Sequence, residues 1–423
     1  MAVAKLQRSN PPPRVSRTKM HLLFDVTLTV ARPWLKQPSG IDRVELAHIR
    51  HWRSQSAYEV TFVMRNAWNQ LAAIPDWLGE QYLAQVDNHI AGGMPSNRAG
   101  LLARSGAIMY AHWWGIGRRL LLRRLAERRD CVFLTVSHAT HSKPALLEDL
   151  RRRGSGIVLL LHDIIPLTHP ELVIPKETRL HAARLRAMST LADAGLTVSN
   201  SALDALNSYA AKNQVTLPKM AVAHLGVDVR ADHDTPVAPH AGPYFLVVGT
   251  VEPRKNHALL LRIWEELASL PGCPRLVIVG RLSKLAHPSA QTLAQRSHGP
   301  KIEYLGRVND RQLASLLKGA RALLFPSLAE GFGIPLAEAL ASNVPAIVAD
   351  TEVLREVGGD IPEYIHPTDA DAWRHAILDY VAEPSARRQA QLARMPMWKK
   401  PTWDEHFRIV EDSLREVAQR PLR

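Results

Sequence analysis

Cysteine is nearly missing from this chain. Cys131 and Cys273 are its only two, they sit far apart in apolar surroundings, and neither belongs to a C-x-x-C or a metal-type spacing. That argues against a disulfide framework and a zinc site, and leaves buried free thiols in a reducing compartment as the expectation. No apolar run approaches the roughly 20 residues needed to span a bilayer. The opening segment, MAVAKLQRSNPPPRVSR, lacks the apolar core of a signal peptide, which points to the cytoplasm. There is no G-x-G-x-x-G after the first strand and no G-x-x-x-x-G-K-[ST] anywhere, which argues against nicotinamide enzymes and P-loop NTPases. Acidic residues are outnumbered, 40 against 53 basic, for a net charge of +13 and a pI near 9.9. A polyanion is therefore expected nearby, whether nucleic acid, an anionic membrane face or a phosphorylated ligand, and charge alone does not choose.

What is present describes a globular α/β protein. At 423 residues, 46% hydrophobic and 22% charged, the chain is too long for one ordinary domain. In the first half, apolar runs at His21 to Val26, Val60 to Met64, Ala107 to Tyr110, Val132 to Val136, Ile157 to Leu161, Leu196 to Val198 and Met220 to Ala223 alternate with helical stretches. They predict a parallel, doubly wound sheet. The proline-rich, apolar-poor DVRADHDTPVAPHAGP marks a linker. Alternation restarts at Tyr244 to Gly249, Leu276 to Gly280, Ile302 to Gly306, Ala322 to Pro326 and Pro345 to Asp350, giving a second sheet. Leu260, Ile263, Trp264 and Leu267 form the stripe of a helix packed on it. Thr402 and Glu405 read as a capping box before a terminal helix with Trp403, Phe407, Val410 and Leu414 on one face. The expected organisation is a basic arm at 1–18, a first domain at 19–228, a linker at 229–243, a second domain at 244–396 and a terminal helix at 397–423 that crosses back to the first domain.

The chemistry concentrates in FPSLAEGFGIPLAEA, residues 325–339. It reads as a strand, a glycine-punctuated loop and a helix, with Pro335 at the first helical position and the amides of Gly333, Ile334 and Leu336 around the helix start. Such an end binds phosphate. Glu330 falls in the loop and Glu338 in the first helical turn, where two carboxylates can accept hydrogen bonds from sugar and ribose hydroxyls. Arg254 and Lys255 follow another strand and precede a helix that Asn256 would cap, which aims them at the same edge. Gly40 starts a helix in PSGIDRVELA, where its backbone can approach phosphates closely. His162 and Asp163 sit at the end of the strand GIVLLL. A metal site from His162, Asp163 and His169 competes with that placement but has no third strong ligand at an interpretable spacing. Ser201 and Asp204 read as a capping box. Asp369-Ala-Asp371 is an acidic helix start rather than a metal-binding pair.

The ordered motifs VGTVEPRKN, YLGRV, FPSLAEGFGIPLAEAL and EVGGD resemble the retaining GT-B glycosyltransferases of the large bacterial group 1 family, which includes mannosyl- and rhamnosyltransferases, and PSGIDRVELA, HDIIPLTHPE and TVSNSALDAL add to the likeness. Asn343 stands where that family usually has Gly, a change a helix C-cap tolerates. The resemblance implies the GT-B fold, two Rossmann-like domains facing each other across a cleft. It implies donor-binding roles for Gly40, Gly249, Thr250, Arg254, Lys255, Gly331, Phe332, Gly333, Ile334 and Glu338, and places Glu330, Lys255, Arg254 and His162 at the chemistry. Arg43 and Asp163 are acceptor-side candidates. The implied reaction moves a sugar from a nucleoside-diphosphate sugar (GDP-mannose, GDP-rhamnose or a UDP-sugar) to a hydroxyl of a lipid-linked or polysaccharide acceptor in O-antigen, capsule or exopolysaccharide synthesis. It keeps the anomeric configuration and uses no metal or cofactor. No nucleic acid is expected. The arginines at 118, 119, 123, 124, 128 and 129 surround Leu121, Leu122 and Leu125, whose face either packs inward or meets an anionic membrane, with peripheral attachment at the inner face of the plasma membrane as the corresponding location. Two other readings remain open: a polyanion-binding protein on an idle scaffold, and a nucleotide-sugar epimerase or hydrolase.

Overall fold

The computed structural model describes residues 19–32, 39–66, 68–90, 98–128, 130–228, 242–286, 293 and 301–420. The expected arm at 1–18, most of the linker at 229–243 and Arg129 lie outside the described residues.

The first lobe is a seven-stranded sheet of β1 (Met20–Asp25), β2 (Tyr58–Arg65), β3 (Leu71–Ala73), β4 (Cys131–Thr135), β5 (Gly156–Leu161), β6 (Ala194–Thr197) and β7 (Lys219–Val222), ordered β3-β2-β1-β4-β5-β6-β7. All its neighbours are parallel except β2 and β3. The second lobe orders β8 (Tyr244–Val248), β9 (Arg275–Val279), β10 (Ile302–Gly306), β11 (Ala322–Phe325), β12 (Ala346–Ala349) and β13 (Glu363–Ile365) as β10-β9-β8-β11-β12-β13, parallel throughout. Central strands such as β4 and β11 are buried along their whole length, as strands covered on both faces must be.

One expected strand is a helix. Ala107 to Tyr110 lies inside the helix Arg98–Trp113, where Ile108, Ala111 and His112 are buried while Met109 and Tyr110 are exposed. That i, i+3, i+4 burial is helical, and so short an apolar run carries no period of its own. Strands β3 and β13, three residues each, gave no run long enough to read.

The caps also differ in detail. Ser199, not Ser201, caps the helix Asn200–Lys212, accepting from the Ala202 amide. Asn256 does precede the helix His257–Leu267 but in a left-handed conformation (φ 55°), and its side-chain amide donates to the Pro367 carbonyl instead of capping. Asp369 accepts from the Ala372 amide at the start of the helix Ala370–Val381, as an acidic helix start should. Asn343 takes the left-handed conformation (φ 54°) just past the helix Ile334–Ala341. Both cysteines are buried and free, and burial pushes the Cys131 thiol up to about 12.

The helix Trp403–Ala418 packs on strands β4 to β7 of the first lobe. Thr402 caps it through the Glu405 amide, and Phe407, Val410 and Leu414 are buried. A buried relay fixes it there. Trp52 Nε1 donates to His48 Nδ1 (3.3 Å), the His48 and His406 Nε2 atoms share one proton (2.9 Å), and His406 Nδ1 donates to the Ala223 carbonyl (3.1 Å). The relay requires both rings neutral, and burial lowers both pKa values, that of His406 to about 4.

In the helix Ile116–Glu127 the leucine face turns inward: Leu121 and Leu125 are buried. Arg118 pairs with Asp149, Arg124 with Asp76 and Arg128 with Glu59, so much of this basic segment is already neutralised. Among the described residues, no helix is long and apolar enough to cross a membrane.

Candidate active site

Strands β8 and β11 are neighbours in the second sheet, and the loops leaving their C-terminal ends meet. After β8 come Gly249 and Thr250, then a 3₁₀ turn, Pro253–Lys255, whose Arg254 carbonyl accepts from the Leu328 amide (2.7 Å). That bond joins the two loops and brings Glu330 against the cations. Arg254 Nη1 donates to Glu330 Oε2 at 2.9 Å, and Lys255 Nζ donates to Oε1. Burial alone would raise the Glu330 pKa, but Lys255 and Arg254 outweigh it and hold the carboxyl at about 2. Burial, helped by the neighbouring guanidinium, pulls the Lys255 ammonium below its ordinary value despite Glu330. Lys255 Nζ also lies 4.6 Å from the centroid of the Phe325 ring.

Gly333 caps the helix Ile334–Ala341 at φ 97°, a conformation other residues adopt only with strain. Pro335 is the second helical residue rather than the first, and the Leu336 and Ala337 amides both return to the Gly333 carbonyl. The Leu336 amide is therefore spent inside the helix, and only Gly333 and Ile334 remain at its start to meet an anion. Glu338 falls one helical position later than expected and so passes from the first turn into the second, because the helix begins at Ile334.

The first lobe closes over this edge. Ser39 and Asp42 form a capping box at the helix Gly40–Ser54, which aims Gly40 and Arg43 at the second lobe. Arg43 makes a fork to Asp310 (2.9 and 2.5 Å). Burial works against its charge, but Asp310, with Glu338 nearby, raises its pKa. Ser199 Oγ donates to the Gly331 carbonyl (2.7 Å), and a Cβ on Gly331 would sit 2.5 Å from the His162 carbonyl, so the lobes touch backbone to backbone there. Glu356, in the helix Glu352–Gly358, accepts from the Asn200 and Ser201 amides and from His224. His162 is buried at the end of β5, its Nε2 donating to the Val136 carbonyl (2.7 Å). Its pKa is lowered by burial, so the ring is neutral and Nδ1 is left as an acceptor. Asp163 turns its Oδ1 to the Ile165 amide (3.0 Å).

A cavity of about 370 Å³ opens between the lobes, within the range of ligand sites. Gly40, Arg43, His162, Asp163, Gly249, Thr250, Arg254, Lys255, Glu330, Gly331, Phe332, Gly333, Ile334 and Glu338 all line it, so the structure brings together the donor-side, catalytic and acceptor-side candidates, while His169 and Leu336 are not among the lining residues. It adds Arg281 and Arg307, the latter inside the YLGRV motif, whose spacing gave no hint of a role. Asp310, Ser199 and Glu356 were also missed as partners across the cleft. His169 meets Glu171 (3.3 Å) and does not line the cavity, and among the described residues no group of three or more His, Cys, Asp or Glu is placed to hold a metal ion.

Two facing Rossmann-like lobes with a cavity between them define the GT-B architecture. The chain superimposes on alpha,alpha-trehalose 6-phosphate synthase from Burkholderia multivorans with a TM-score of 0.61, covering 95% of this chain and 99% of that one at 15% identity, a likeness of fold. Residues 228–394 match the family described as glycosyl transferases group 1. The chain is 31% identical to the O-antigen chain mannosyltransferase RfbU of Salmonella typhimurium over 66% of this chain and 71% of RfbU. It belongs to the group 1 glycosyltransferase family. It is also 29% identical to the serotype-specific mannosyltransferase WbdA of Escherichia coli over 64% of this chain, an alignment that spans only 36% of WbdA.

Proposed function

We propose that this protein transfers a hexose, with mannose the leading candidate, from a nucleoside-diphosphate sugar to a hydroxyl of a growing surface glycan. The observation that carries the reading is the convergence of Arg254, Lys255, the start of the helix Ile334–Ala341 and Glu338 on one interlobe cavity. Two cations and a helix N-terminus suit a diphosphate, and a carboxylate one helical turn away suits ribose hydroxyls. The mannosyltransferase names of RfbU and WbdA favour mannose, and the name of RfbU an O-antigen type of acceptor; GDP is the carrier this reading expects.

In this reading the bond between the anomeric carbon and the diphosphate oxygen breaks as the acceptor oxygen bonds to the same carbon on the same face. The acceptor proton passes to the departing phosphate oxygen, and configuration is retained. Arg254, Lys255 and the Gly333 and Ile334 amides take up the charge of the leaving group, the role a metal ion plays elsewhere. His162 Nδ1 accepts from a sugar hydroxyl, and Glu330 keeps the two cations oriented below the sugar. Arg43 and Asp163, on the first lobe, face the acceptor.

The test has two parts. Thermal-shift measurements with GDP, UDP, ADP and dTDP identify the donor class, GDP being the expected stabiliser. Lys255→Ala should then lower transfer by about 100- to 1,000-fold, some 3 kcal/mol by analogy with removing one oxyanion-hole donor. Undiminished turnover in a folded Lys255→Ala protein, or stabilisation by none of the four nucleotides, would refute the assignment.

A further inference from the structure

The first lobe carries an aromatic surface for which the cavity has no use. Trp113 and Trp114, at the end of the helix Arg98–Trp113, are 69% and 60% exposed. Tyr110, one turn earlier, is 63% exposed with its ring 6.0 Å from that of Trp114, and Trp68, in the loop after β2, is 51% exposed and 5.3 Å from Trp113. Ile116, at 48%, continues the patch onto the next helix. Its neighbours on the same face of that helix, at i+3 and i+7, are the exposed Arg119 and Arg123, the latter in a solvent-exposed i,i+4 ion pair with Glu127 (2.8 Å). Isolated exposed apolar residues are ordinary, but a contiguous group of large rings is not.

We propose that this patch is a docking surface for an anionic lipid bilayer. Three features select a bilayer over a protein partner or a second copy. Trp and Tyr, apolar rings with a polar edge, are the residues that settle at the headgroup boundary. The rings run directly into a row of arginines, and the whole chain carries +13, a complement to anionic headgroups. Finally, the placement fits delivery. Trp68 follows the C-terminal end of β2, and β2 runs parallel to β1 and, through it, to β4, β5 and β6. His162 and Ser199 follow the C-terminal ends of β5 and β6, so the rings lie at the same edge of the sheet as the cavity. A bilayer on the patch would lie beside the cleft that, in the proposed function, receives a lipid-borne acceptor. The delivery argument rests on that function, but the bilayer contact does not.

The membrane contact assigned here is not the leucine face of the basic helix, which is spent on the core, but the rings preceding it and the outer arginines. Insertion of three tryptophans would be seen directly as a blue shift of fluorescence.

Co-sedimentation of the full chain with phosphatidylcholine vesicles, with and without phosphatidylglycerol, tests the proposal. Wild-type protein should pellet with the anionic vesicles, less so at high salt. Arg119→Gln and Arg123→Gln should each weaken binding about fivefold, and Trp113→Ser with Trp114→Ser should abolish it. These side chains are exposed, so melting temperature should not change. The proposal fails if wild type stays in the supernatant with both vesicle types at low salt, if the tryptophan variant pellets like wild type, or if sedimentation velocity shows that the variant instead dissolves a dimer. Nucleotide thermal shifts separate the two readings: a protein that binds vesicles but no nucleotide keeps the docking surface and loses the proposed function.

Discussion

Replacing Glu330 by glutamine keeps the shape of the loop and removes one charge. The side chain is only 8% exposed and each of its oxygens meets a different cation, so solvent screens little of the interaction. Its carboxyl is held at about 2 against an ordinary 4.5. At 1.36 kcal/mol per pH unit this corresponds to about 3 kcal/mol of stability at neutral pH. In Glu330→Gln one oxygen still accepts, but the amide nitrogen faces the other cation, and Arg254 and Lys255 repel each other. The unliganded variant should melt about 6–12 °C below wild type, taking lobes of 150–250 residues. A diphosphate then becomes the replacement anion. The nucleoside diphosphate that stabilises wild type should therefore raise the melting temperature of the variant by more, although sugar transfer falls. Differential scanning fluorimetry of both proteins, with and without saturating nucleotide, reads both effects. An unchanged melting temperature without ligand, or equal ligand shifts in the two proteins, would refute the reasoning that Glu330 holds a diphosphate-binding cation pair.

Gly331→Ala should lower kcat/KM about 5- to 150-fold, because its Cβ would meet the His162 backbone and the lobes must part at an overpacking cost of roughly 1–3 kcal/mol; wild-type kinetics would show that this approach is not needed. Acid should destabilise the first lobe through the His48–His406 relay. An unfolded histidine takes up its proton near pH 6.5 whereas folded His406 does so near 4, so the stability is complete above about pH 6.5 and is lost as pH falls toward 4. By pH 5 the loss from His406 alone is about 2 kcal/mol, visible as a lower urea midpoint; a midpoint equal to that at pH 7 would contradict it. Glu330 adds to this only below about pH 4.5.

Four strands of the second sheet, β8, β9, β11 and β12, were legible because they are buried along nearly their whole length and so appear as apolar runs closed by glycine, proline or aspartate. The first sheet was less so. Ala107 to Tyr110 has a strand's composition in a helix whose period shows only over a longer span, and β3, like β13 of the second sheet, is too short to carry a pattern. The site residues were legible where the chemistry is local, as in Arg254-Lys255 and Glu330 to Glu338. The pairings that tie them together were not, since Glu330 meets cations 75 and 76 positions away and Arg43 meets Asp310 across 267. The expected amide of Leu336 failed for a smaller reason: proline tolerates either of the first two helical positions, and a shift of one residue moves an amide from the anion to the helix.

The contacts across the cleft have the same polarity at two places, the first lobe supplying the positive partner and the second the anion. At one, the first lobe supplies the cation, Arg43, and the second the anion, Asp310. At the other, the second lobe supplies the anion, Glu356, and the first lobe a helix N-terminus, whose Asn200 and Ser201 amides have no partner within their own helix. Glu356 pays for its half-buried position through these amides and His224, which hold its pKa below the ordinary value despite burial. Neither Asp310 nor Glu356 lines the cavity, yet between them they fix how closely Gly40 approaches Ile334 and His162 approaches Gly331. The distance between the two halves of the site is thus set in part by two carboxylates outside it, and substitutions of Asp310 or Glu356 act on turnover through geometry rather than through contact with a ligand.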